Sequence, residues 1–471
     1  MRSSVAFGLA ALLLATGCGA GAGSAAPPAV SASAGGPEAG SGAGSADVTT
    51  SGDATHSANV TLMANVPPQA PLDGPQSWGT DLAFQGDHVF VGNYDGFSVF
   101  DVSDPARPRA ISRVSCPGEQ NDVSVHGNLL FLSVDSPRGG PTCEAGSSGQ
   151  GGAWEGIRIF DVTDKAHPRF VSAVSTDCGS HTHTLIPGES GGGGDGGEKV
   201  YLYVSSPGPE PESKTCPAPH NKISVVEVPT ADPAGAKVVS EPVLSEGEGE
   251  EGLGGCHDIT AYPEKDLAAA ACFGDGLLMD ISDRVHPKVL QRVRDEENFS
   301  IWHSATFNNA ATKVVFGDEL GGGVSATCDD ETPKNHGADA VYDLTRDRVL
   351  RLRGYFKIPR KQQPDENCVA HNGSLLPVPG RDIMVQAWYQ GGVSIWDFTD
   401  ADHPREIGFF ERGPVEGVGG SWSAYYYNGH IYSSDITRGL DVLRIDDPLT
   451  DAAEKVVLKE LNAQTQVSYP E

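Results

Sequence analysis

Short apolar segments alternate with turn residues along most of the chain, and one kind of segment recurs with the same ending. Residues 97–101 read Phe-Ser-Val-Phe-Asp, which is an apolar run closed by an aspartate. The clear later copies are Ile157–Asp161, Leu277–Asp280 and Val393–Asp397, and weaker copies lie at Ile223–Val228, Ala340–Leu344 and Leu440–Ile445. Short runs of β-branched and aromatic residues bounded by Gly, Asp and Pro predict β-strands.

Each copy belongs to a longer unit of four predicted strands. Two apolar strands precede the aspartate-ended strand, and a fourth strand follows it, in most copies after a proline. Four short strands in a repeat of roughly 40 residues are typical of a β-propeller blade. The repeats begin near Trp78, Gln120, His181, Cys256, Trp302, Ala370 and Trp422. The sequence therefore predicts an all-β fold, a seven-bladed β-propeller of four-stranded blades, with only very short helices.

A propeller must close its ring, because an open sheet edge leaves backbone groups unpaired. Two segments can complete the last blade, Asn59–Asn65 from the N-terminal side and Lys455–Leu461 from the C-terminal side. The residues alone do not decide between them. We assign the propeller to residues 59–465 and a C-terminal tail to residues 466–471.

The repeated motif resembles that of a known family. Residues 101–105 read Asp-Val-Ser-Asp-Pro after an apolar run, which is similar to the LVIVD repeat of bacterial surface propeller proteins. The resemblance covers most of residues 75–446 and implies the propeller fold, but no particular chemistry. The positions of the histidines are also similar, at the level of fold only, to metal-binding propellers such as the selenium-binding protein and methanethiol oxidase group.

Four histidines share one position at the start of the first strand in consecutive repeats. They are His183, His257, His303 and His371. The other repeats carry Thr80, Asn121 and Trp422 at this position. In a closed ring, residues that share one position surround one mouth of the central channel. Only 14 histidines occur in the whole chain, so their shared position predicts a common role.

Several imidazoles converging on one axis are a plausible ligand set for a transition metal, with Zn or Cu first. His181 lies two residues before His183 on the same side of its strand, and we treat it as a candidate fifth ligand. The alternative is a set of polar histidines that line the channel and bond to water or to each other. Asp318 and Glu319 end the second strand of the repeat that contains His303, and either one is a candidate base or partner of a liganding imidazole.

Other polar residues have structural interpretations. Asp318 has one too, since an aspartate before glycines commonly caps a turn, and we assign Asp95 and Asp275 to that role. The recurrent aspartates should bond backbone amides in the turn that follows; they are Asp101, Asp161, Asp280 and Asp397. Trp302, Trp388, Tyr389 and Trp422 lie near the histidine positions and either line a small-molecule pocket or pack between blades.

The N-terminus predicts export and a lipid anchor. Arg2 precedes the apolar run Val5–Ala15, and residues 15–18, Ala-Thr-Gly-Cys, resemble a lipobox. The run is too short to span a bilayer and fits a signal peptide over residues 1–17. Cleavage would leave diacylated Cys18 as an anchor in the cell membrane, on its extracytoplasmic face. Residues 18–58, rich in Gly, Ala, Ser and Pro, predict a flexible tether. The alternative is an ordinary secreted protein.

Composition limits the partners. The chain has 33 Lys and Arg against 63 Asp and Glu, a formal net charge of −30. Such a surface repels nucleic acid and anionic headgroups. The acidic run 246–251 favours a solvated loop over a calcium site, because it lacks ordered ligand spacing. We expect a monomer that meets the membrane through its anchor and binds a small molecule.

The cysteines predict disulfides. Nine are present, and removing Cys18 leaves an even number in an exported chain. Half of them lie just before a first strand and half lie at or after a second strand, which places all of them on one face of the disc. On this basis we expect the pairs Cys116–Cys143, Cys178–Cys216, Cys256–Cys272 and Cys328–Cys368. The alternative is metal ligation by Cys256 beside His257.

Two functional classes follow from the sequence. In the first, the protein is a metal-dependent oxidoreductase or hydrolase that acts on a small extracellular molecule. In the second, the propeller is a non-catalytic binding or display platform at the cell surface, and its histidines only line the channel.

Overall fold

The fold is built of β-strands. The computed structural model describes residues 48–51, 53–148, 153–188, 198–208, 216, 219–244 and 254–470. The predicted signal peptide, Cys18, most of the predicted tether and the acidic run 246–251 lie outside these residues. The helical elements within them are the short 3₁₀ turns Pro233–Gly235, Pro263–Lys265 and Ala453–Lys455. In this part of the chain, no helix is long and apolar enough to cross a membrane.

Three strands precede the first repeat: Val48–Ser51 (β1), Ala54–Ser57 (β2) and Val60–Val66 (β3). The strands that follow form antiparallel meanders, which we name A to G. Meander A comprises Gly79–Gln85 (β4), His88–Asn93 (β5), Gly96–Asp101 (β6) and Arg109–Ser115 (β7). Meander B comprises Val123–His126 (β8), Leu129–Arg138 (β9), Trp154–Asp161 (β10) and Arg169–Ser175 (β11). Meander C comprises Thr182–Pro187 (β12), Lys199–Ser205 (β13), Ser224–Pro229 (β14) and Lys237–Ser240 (β15).

The second half of the chain repeats this order. Meander D comprises Ile259–Tyr262 (β16), Leu267–Cys272 (β17), Asp275–Asp280 (β18) and Lys288–Val293 (β19). Meander E comprises Trp302–Phe307 (β20), Lys313–Asp318 (β21), Asp339–Leu344 (β22) and Leu350–Phe356 (β23). Meander F comprises Asn372–Leu376 (β24), Ile383–Ala387 (β25), Val393–Asp397 (β26) and Arg405–Arg412 (β27). Meander G comprises Ser421–Tyr427 (β28), His430–Asp435 (β29) and Gly439–Ile445 (β30), and the last strand is Glu460–Asn462 (β31).

The N-terminal strand β3 completes meander G. It pairs antiparallel with β30 from Val60 opposite Ile445 to Val66 opposite Leu440. Of the two segments that the sequence allowed, the N-terminal one therefore takes the outer place. The C-terminal strand β31 lies elsewhere and pairs with β4 at the inner edge of meander A.

The predicted tether is too long at its C-terminal end. Strands β1 and β2 form a hairpin, and β2 adds to the outer edge of β27, with Ala54 opposite Arg412. Ala54 and Ser57 are both buried there. Pairing at a sheet edge depends on backbone groups, so small side chains are sufficient for it. Low hydrophobicity alone therefore did not reveal these strands.

The apolar core lies between neighbouring meanders. One cluster joins Leu82 and Phe84 of meander A to Tyr425 and Tyr432 of meander G. Phe84 stacks on Tyr427, with ring centroids 4.8 Å apart. Because most sheets are covered on both faces, many strands are apolar on both sides, and every residue of β17 is buried. This explains the near-continuous apolar runs in the sequence.

The recurrent aspartates shape the turns as the sequence predicts. Each accepts a hydrogen bond from the amide two residues later, at 2.8–3.0 Å, in the pairs Asp101–Ser103, Asp161–Thr163, Asp280–Ser282 and Asp397–Thr399. Hydrogen bonds from the hydroxyl and amide of Ser103 hold the pKa of Asp101 well below its usual range. These aspartates are structural.

Four disulfides join the cysteines in the expected pairs. They are Cys116–Cys143, Cys178–Cys216, Cys256–Cys272 and Cys328–Cys368. Because Cys256 is bonded to Cys272, its sulfur has no thiolate to offer a metal ion. The alternative role of Cys256 as a metal ligand is therefore wrong.

The C-terminal segment 460–469 crosses the inner strands. Successive residues of this segment form hydrogen bonds to the inner strands of different meanders. The bonded pairs are Asn462 with Val125, Thr465 with Leu185, Gln466 with Phe307 and Tyr469 with Leu376. The segment thus packs against the inner edges of meanders B, C, E and F, and most of the predicted tail belongs to the folded core.

Removing β3 should destabilise the whole ring. A chain that begins at Pro67 loses the strand that covers β30, including Val60, which is fully buried. We expect its free energy of unfolding to fall by at least about 3 kcal/mol, and the open edge should promote self-association. Chemical denaturation and sedimentation measure both effects. A chain that begins at Asp53 keeps β2 and β3 and serves as the control. Equal stability of the two truncated chains would contradict the assigned closure.

Candidate metal centre

Histidines from four consecutive meanders meet at one mouth of the channel. They form a row in the order His181, His257, His303 and His371, from meanders C, D, E and F. Neighbouring ring centroids lie 4.6, 3.9 and 4.4 Å apart along this row. Exposure is 6% for His257, 0% for His303 and 2% for His371, so these three rings are almost closed to solvent, whereas the side chain of His181 is 22% exposed.

The structure places His183 outside this row. Its Nε2 lies 2.6 Å from the hydroxyl of Ser124, and its Nδ1 lies 2.8 Å from that of Ser133. Both serines belong to meander B, so the ring fills the seam between meanders B and C. Burial lowers the pKa of His183 to about 3, which keeps it neutral. The prediction that His183 joins the other three is wrong, and His181 takes its place.

Backbone pairing explains why His181, and not His183, belongs to the row. The amides of His181, His257 and His371 donate to the second strand of their own meander, at 2.9, 2.8 and 3.1 Å. These three residues therefore share one register, whereas His183 lies two residues deeper along β12. The sequence signal was available, because His181 and His371 each directly precede an inner strand.

Three of the imidazoles have an acceptor at Nδ1. The Nδ1 of His181 lies 2.7 Å from an oxygen of Asp135, and that of His257 lies 3.0 Å from an oxygen of Asp258. The Nδ1 of His371 contacts the carbonyl oxygen of Trp422. An acceptor at Nδ1 holds the proton there in a neutral imidazole and leaves the lone pair on Nε2. The second nitrogen of each ring is thus free to accept.

The first two rings meet through these lone pairs. The Nε2 atoms of His181 and His257 are 3.0 Å apart. Two bare lone pairs at this distance repel each other unless a proton or a metal ion lies between them. Burial disfavours a charge on His181, but the hydrogen bond and the charge of Asp135 outweigh it and raise the pKa of His181. The amide of Gln120 also lies 3.1 Å from the Nε2 of His181.

His303 has the most unusual surroundings. It is fully buried, and neither of its ring nitrogens has a hydrogen-bond partner among the residues that the structure describes. Burial, followed by the neighbouring imidazoles His257 and His371, lowers its pKa well below the usual range. A buried polar group without a partner costs roughly 1–3 kcal/mol. His303 therefore presents unused lone-pair capacity at the centre of the row.

Glu319 lies against the second half of the row, as the sequence allowed. Its carboxylate oxygens are 3.8 Å from the Nε2 of His303 and 3.5 Å from that of His371. The hydroxyl of Tyr389 donates to Glu319 at 2.5 Å. Burial raises the pKa of Glu319 to about 8, so the carboxyl group holds a proton at neutral pH.

Asp318 is not a catalytic candidate. Its oxygens accept hydrogen bonds from the backbone amides of Ser300, Ile301 and Gly337, at 2.8–3.0 Å, and it is fully buried. It therefore fastens two loops, and its side chain is fully used. Asp275 also differs from the turn cap that we expected, because it pairs with the guanidinium groups of Arg292 and Arg294.

A layer of carboxylates that was not predicted from the sequence follows the imidazoles. Asp81, Asp122 and Asp258 are each buried, and all follow the shared position by one residue, after Thr80, Asn121 and His257. That repeated spacing was the available signal. Burial raises the pKa of Asp81 to about 7 and the pKa of Asp122 well above its usual value. A small cavity between the layers is lined by Asp81, Asp122, His257, His303, His371 and Trp422.

The aromatic residues divide into two groups. Trp422 lies edge-on to His371 with a centroid distance of 5.2 Å, and Tyr389 lies 4.6 Å from the same ring. These two residues belong to the site. Trp302 packs instead on Phe316 between meanders, and Trp388 packs on Phe356.

Comparisons with known proteins agree with this architecture. A model of the LVIVD repeat matches residues 79–115, which contain the whole of meander A. The periplasmic gluconolactonase PpgL of Pseudomonas aeruginosa is similar in structure, with a TM-score of 0.52 and 12% identity over 81% of this chain and 97% of that chain. The chain carries an LVIVD repeat in meander A and folds as a β-propeller. An identity this low shows the fold alone.

Further comparisons add little. The β-propeller domain of Cps50 (Swd1) from Myceliophteria thermophila has a TM-score of 0.49 and 11% identity, and it covers 79% of this chain and 97% of that chain. No curated protein sequence matches this chain.

The buried carboxylates should make the metal-free propeller less stable as the pH rises. The pKa of Asp81 is about 7 in the folded chain against 3.8 for the free side chain. Protonation therefore favours folding fully below about pH 4, and the benefit is lost as the pH rises through about 7. Between pH 5 and pH 8 we expect wild type to lose about 3 kcal/mol more than Asp81→Asn. Urea unfolding in chelator measures this. Identical losses in both chains would contradict the assignment.

Proposed function

We propose that this protein is a metalloprotein that binds one transition-metal ion through His181, His257, His303 and His371. The observation that carries the proposal is the orientation of the rings. Metal-bound histidines almost always donate their second N–H to a carboxylate or a carbonyl. Asp135, Asp258 and the carbonyl of Trp422 occupy that position for three of the four rings.

The alternative, histidines that bond to one another, fits less well. A chain of bonded imidazoles needs a donor and an acceptor at every step. The first pair of the row has such a contact, but neither nitrogen of His303 bonds to a neighbouring ring. An ion at the centre of the row would use a nitrogen of His303, which has no hydrogen-bond partner among the described residues.

The spacing requires the side chains to rotate. The ligand atoms of His257, Asp258 and His303 lie within 4.8 Å of one another, and so do those of His303, Glu319 and His371. Each group holds two of the four histidines, and His181 belongs to neither. Nitrogens that share a tetrahedral ion are roughly 3–3.5 Å apart, as Zn–N bonds of about 2.0–2.1 Å require. Side-chain rotation would have to close that difference and bring His181 to the same ion. Imidazole-rich sites favour Zn and Cu over oxygen-seeking cations such as Mg²⁺.

We further propose that the site acts on a small molecule. A bound ion would supply Lewis acidity or electron transfer, depending on the metal. Glu319 lies against two of the proposed ligands, and Tyr389 fixes its carboxyl group by donating to it. These two residues would hold and move a proton beside the ligand. The cavity is small, so the proposal restricts the substrate to a molecule of a few atoms.

The proposal extends to the whole protein. We interpret meanders A to G as seven blades of one ring, with β3 as the outer strand of the last blade. The lipobox-like residues 15–18 support an anchor at Cys18 and a place on the extracytoplasmic face of the cell membrane. The four disulfides fit that oxidising location. The net charge of −30 argues against nucleic acid as a partner.

Metal analysis tests the central claim. The propeller, loaded with Zn²⁺ or Cu²⁺ and freed of excess metal, should retain one ion per chain by elemental analysis. Replacing His257 and His303 together by Ala should remove that ion, because half of the proposed ligands are lost. The control replaces the exposed His286 and His403, which pair with nearby aspartates at the outer edge. A folded double variant that still retains one ion would overturn the proposal. The alternative function, a non-catalytic binding or display platform, would then be favoured.

His183 supplies an independent test of the ligand set. His183→Ala should lower the stability by about 2–4 kcal/mol, because it leaves a cavity and two serine hydroxyls without their partner. The metal content should stay at the wild-type value. Thermal unfolding and elemental analysis measure the two effects separately. Loss of the ion in a variant that remains folded would restore His183 as a ligand.

A further inference from the structure

The C-terminal segment reaches the histidine row from below. The side-chain amide nitrogen of Gln464 donates to one oxygen of Asp258 at 2.7 Å. The other oxygen of Asp258 lies 3.0 Å from the Nδ1 of His257. The carboxylate therefore connects the C-terminal segment to one of the proposed metal ligands, and both of its oxygens accept a hydrogen bond. Asp258 is fully buried and Gln464 is 7% exposed.

We infer that Gln464 is a positioning residue for His257, so that the C-terminal segment forms part of the metal centre. The inference rests on the proposed metal-binding function, and it assigns the outer support of one ligand. Residues that hold a liganding histidine through a carboxylate set its tautomer and its direction. Here the supporting group comes from a segment about 200 residues away in the chain, as the sequence separation of 206 between Gln464 and Asp258 shows.

The chemistry of the contact fixes the orientation of the amide. An ionised carboxylate only accepts hydrogen bonds, so the NH₂ group of Gln464 must face Asp258. The amide oxygen then faces the hydroxyl of Thr260, 3.1 Å away. The backbone carbonyl of Gln464 also accepts a hydrogen bond from the amide of Ala261 at 2.9 Å. Gln464 is thus held on three sides by meander D, and it turns one donor towards the carboxylate.

Loss of that donor should release Asp258. One of its oxygens would then be buried without a partner, which favours rotation of the carboxyl group. That rotation weakens the acceptor at the Nδ1 of His257. The imidazole could then carry its proton on Nε2, the nitrogen that faces His181. That tautomer cannot bind a metal ion through Nε2.

The chain offers a matched control two residues away. The side chain of Gln466 exchanges two hydrogen bonds with the backbone of Phe307, at 3.1 and 2.9 Å. It anchors the same segment to meander E, but its side-chain bonds go to this backbone and not to the row. Gln466→Leu should therefore weaken the anchoring of the C-terminal segment and leave the hydrogen bonds that orient His257 unchanged.

The experiment compares Gln464→Leu and Gln466→Leu in the full chain. Cu²⁺ affinity is measured by competition with a chelator, and the electron paramagnetic resonance spectrum of the loaded protein reports on the nitrogen ligands. We expect Gln464→Leu to weaken affinity by about 10–100-fold and to change the spectrum. Gln466→Leu should lower the melting temperature while it leaves both readouts at wild-type values. Gln464→Met, which keeps a similar length but has no donor, should resemble Gln464→Leu and guards against misfolding of the latter.

A second readout needs no metal. Nitrogen NMR of the metal-free protein should find the proton of His257 on Nδ1 in wild type and Gln466→Leu, and a mixture of tautomers in Gln464→Leu. If wild type retains no ion but the tautomer still shifts in Gln464→Leu, the proposed function fails and the positioning role stands. If neither tautomer nor affinity responds to Gln464→Leu, or if Gln466→Leu has the same effects, the inference is wrong.

Discussion

Closure of the sheet array is the constraint on which the rest of this structure depends. Pairing of β3 with β30 joins a strand near the N-terminus to a strand near the C-terminus, so the faces of meanders A and G can pack on each other. With that contact in place, the first residues of successive inner strands become neighbours in space. The histidine row exists because four meanders place an imidazole there, although the residues are 190 positions apart from His181 to His371. Geometry, rather than local sequence, assembles the site.

Sequence periodicity was sufficient for the fold and for part of the site. Strand-length apolar runs and the recurrent aspartate predicted the meanders, and the shared position predicted His257, His303 and His371. Periodicity did not decide between His181 and His183. Because these residues are two apart, their side chains point to the same side of the strand, and they differ only in their position along the chain at β12. Periodicity also could not separate Asp318 from Glu319. Adjacent residues point to opposite sides of a strand, and only the tertiary structure shows that loop amides occupy Asp318.

Three layers of the channel are bonded to one another at His257. The imidazole of His257 belongs to the first layer, the carboxylate of Asp258 to the second, and the side-chain amide of Gln464 to the third. Asp258 accepts from His257 on one side and from Gln464 on the other. A buried carboxylate is tolerated only when donors surround it. The C-terminal segment therefore does more than fill the channel, since Gln464 supplies Asp258 with a hydrogen-bond donor.

Departures from ordinary packing rules are concentrated in the first layer. Most buried polar groups in a folded chain have partners, yet neither nitrogen of His303 has one among the residues that the structure describes. Glu319, Tyr389 and Trp422 lie against His303 and His371, and both of these rings are buried, so bulk water offers them little relief. A chain selected for stability alone would replace these imidazoles with apolar side chains, as it does elsewhere between the meanders. Their retention in a closed, nitrogen-rich row is explained if an ion completes the bonds that the protein leaves unmade.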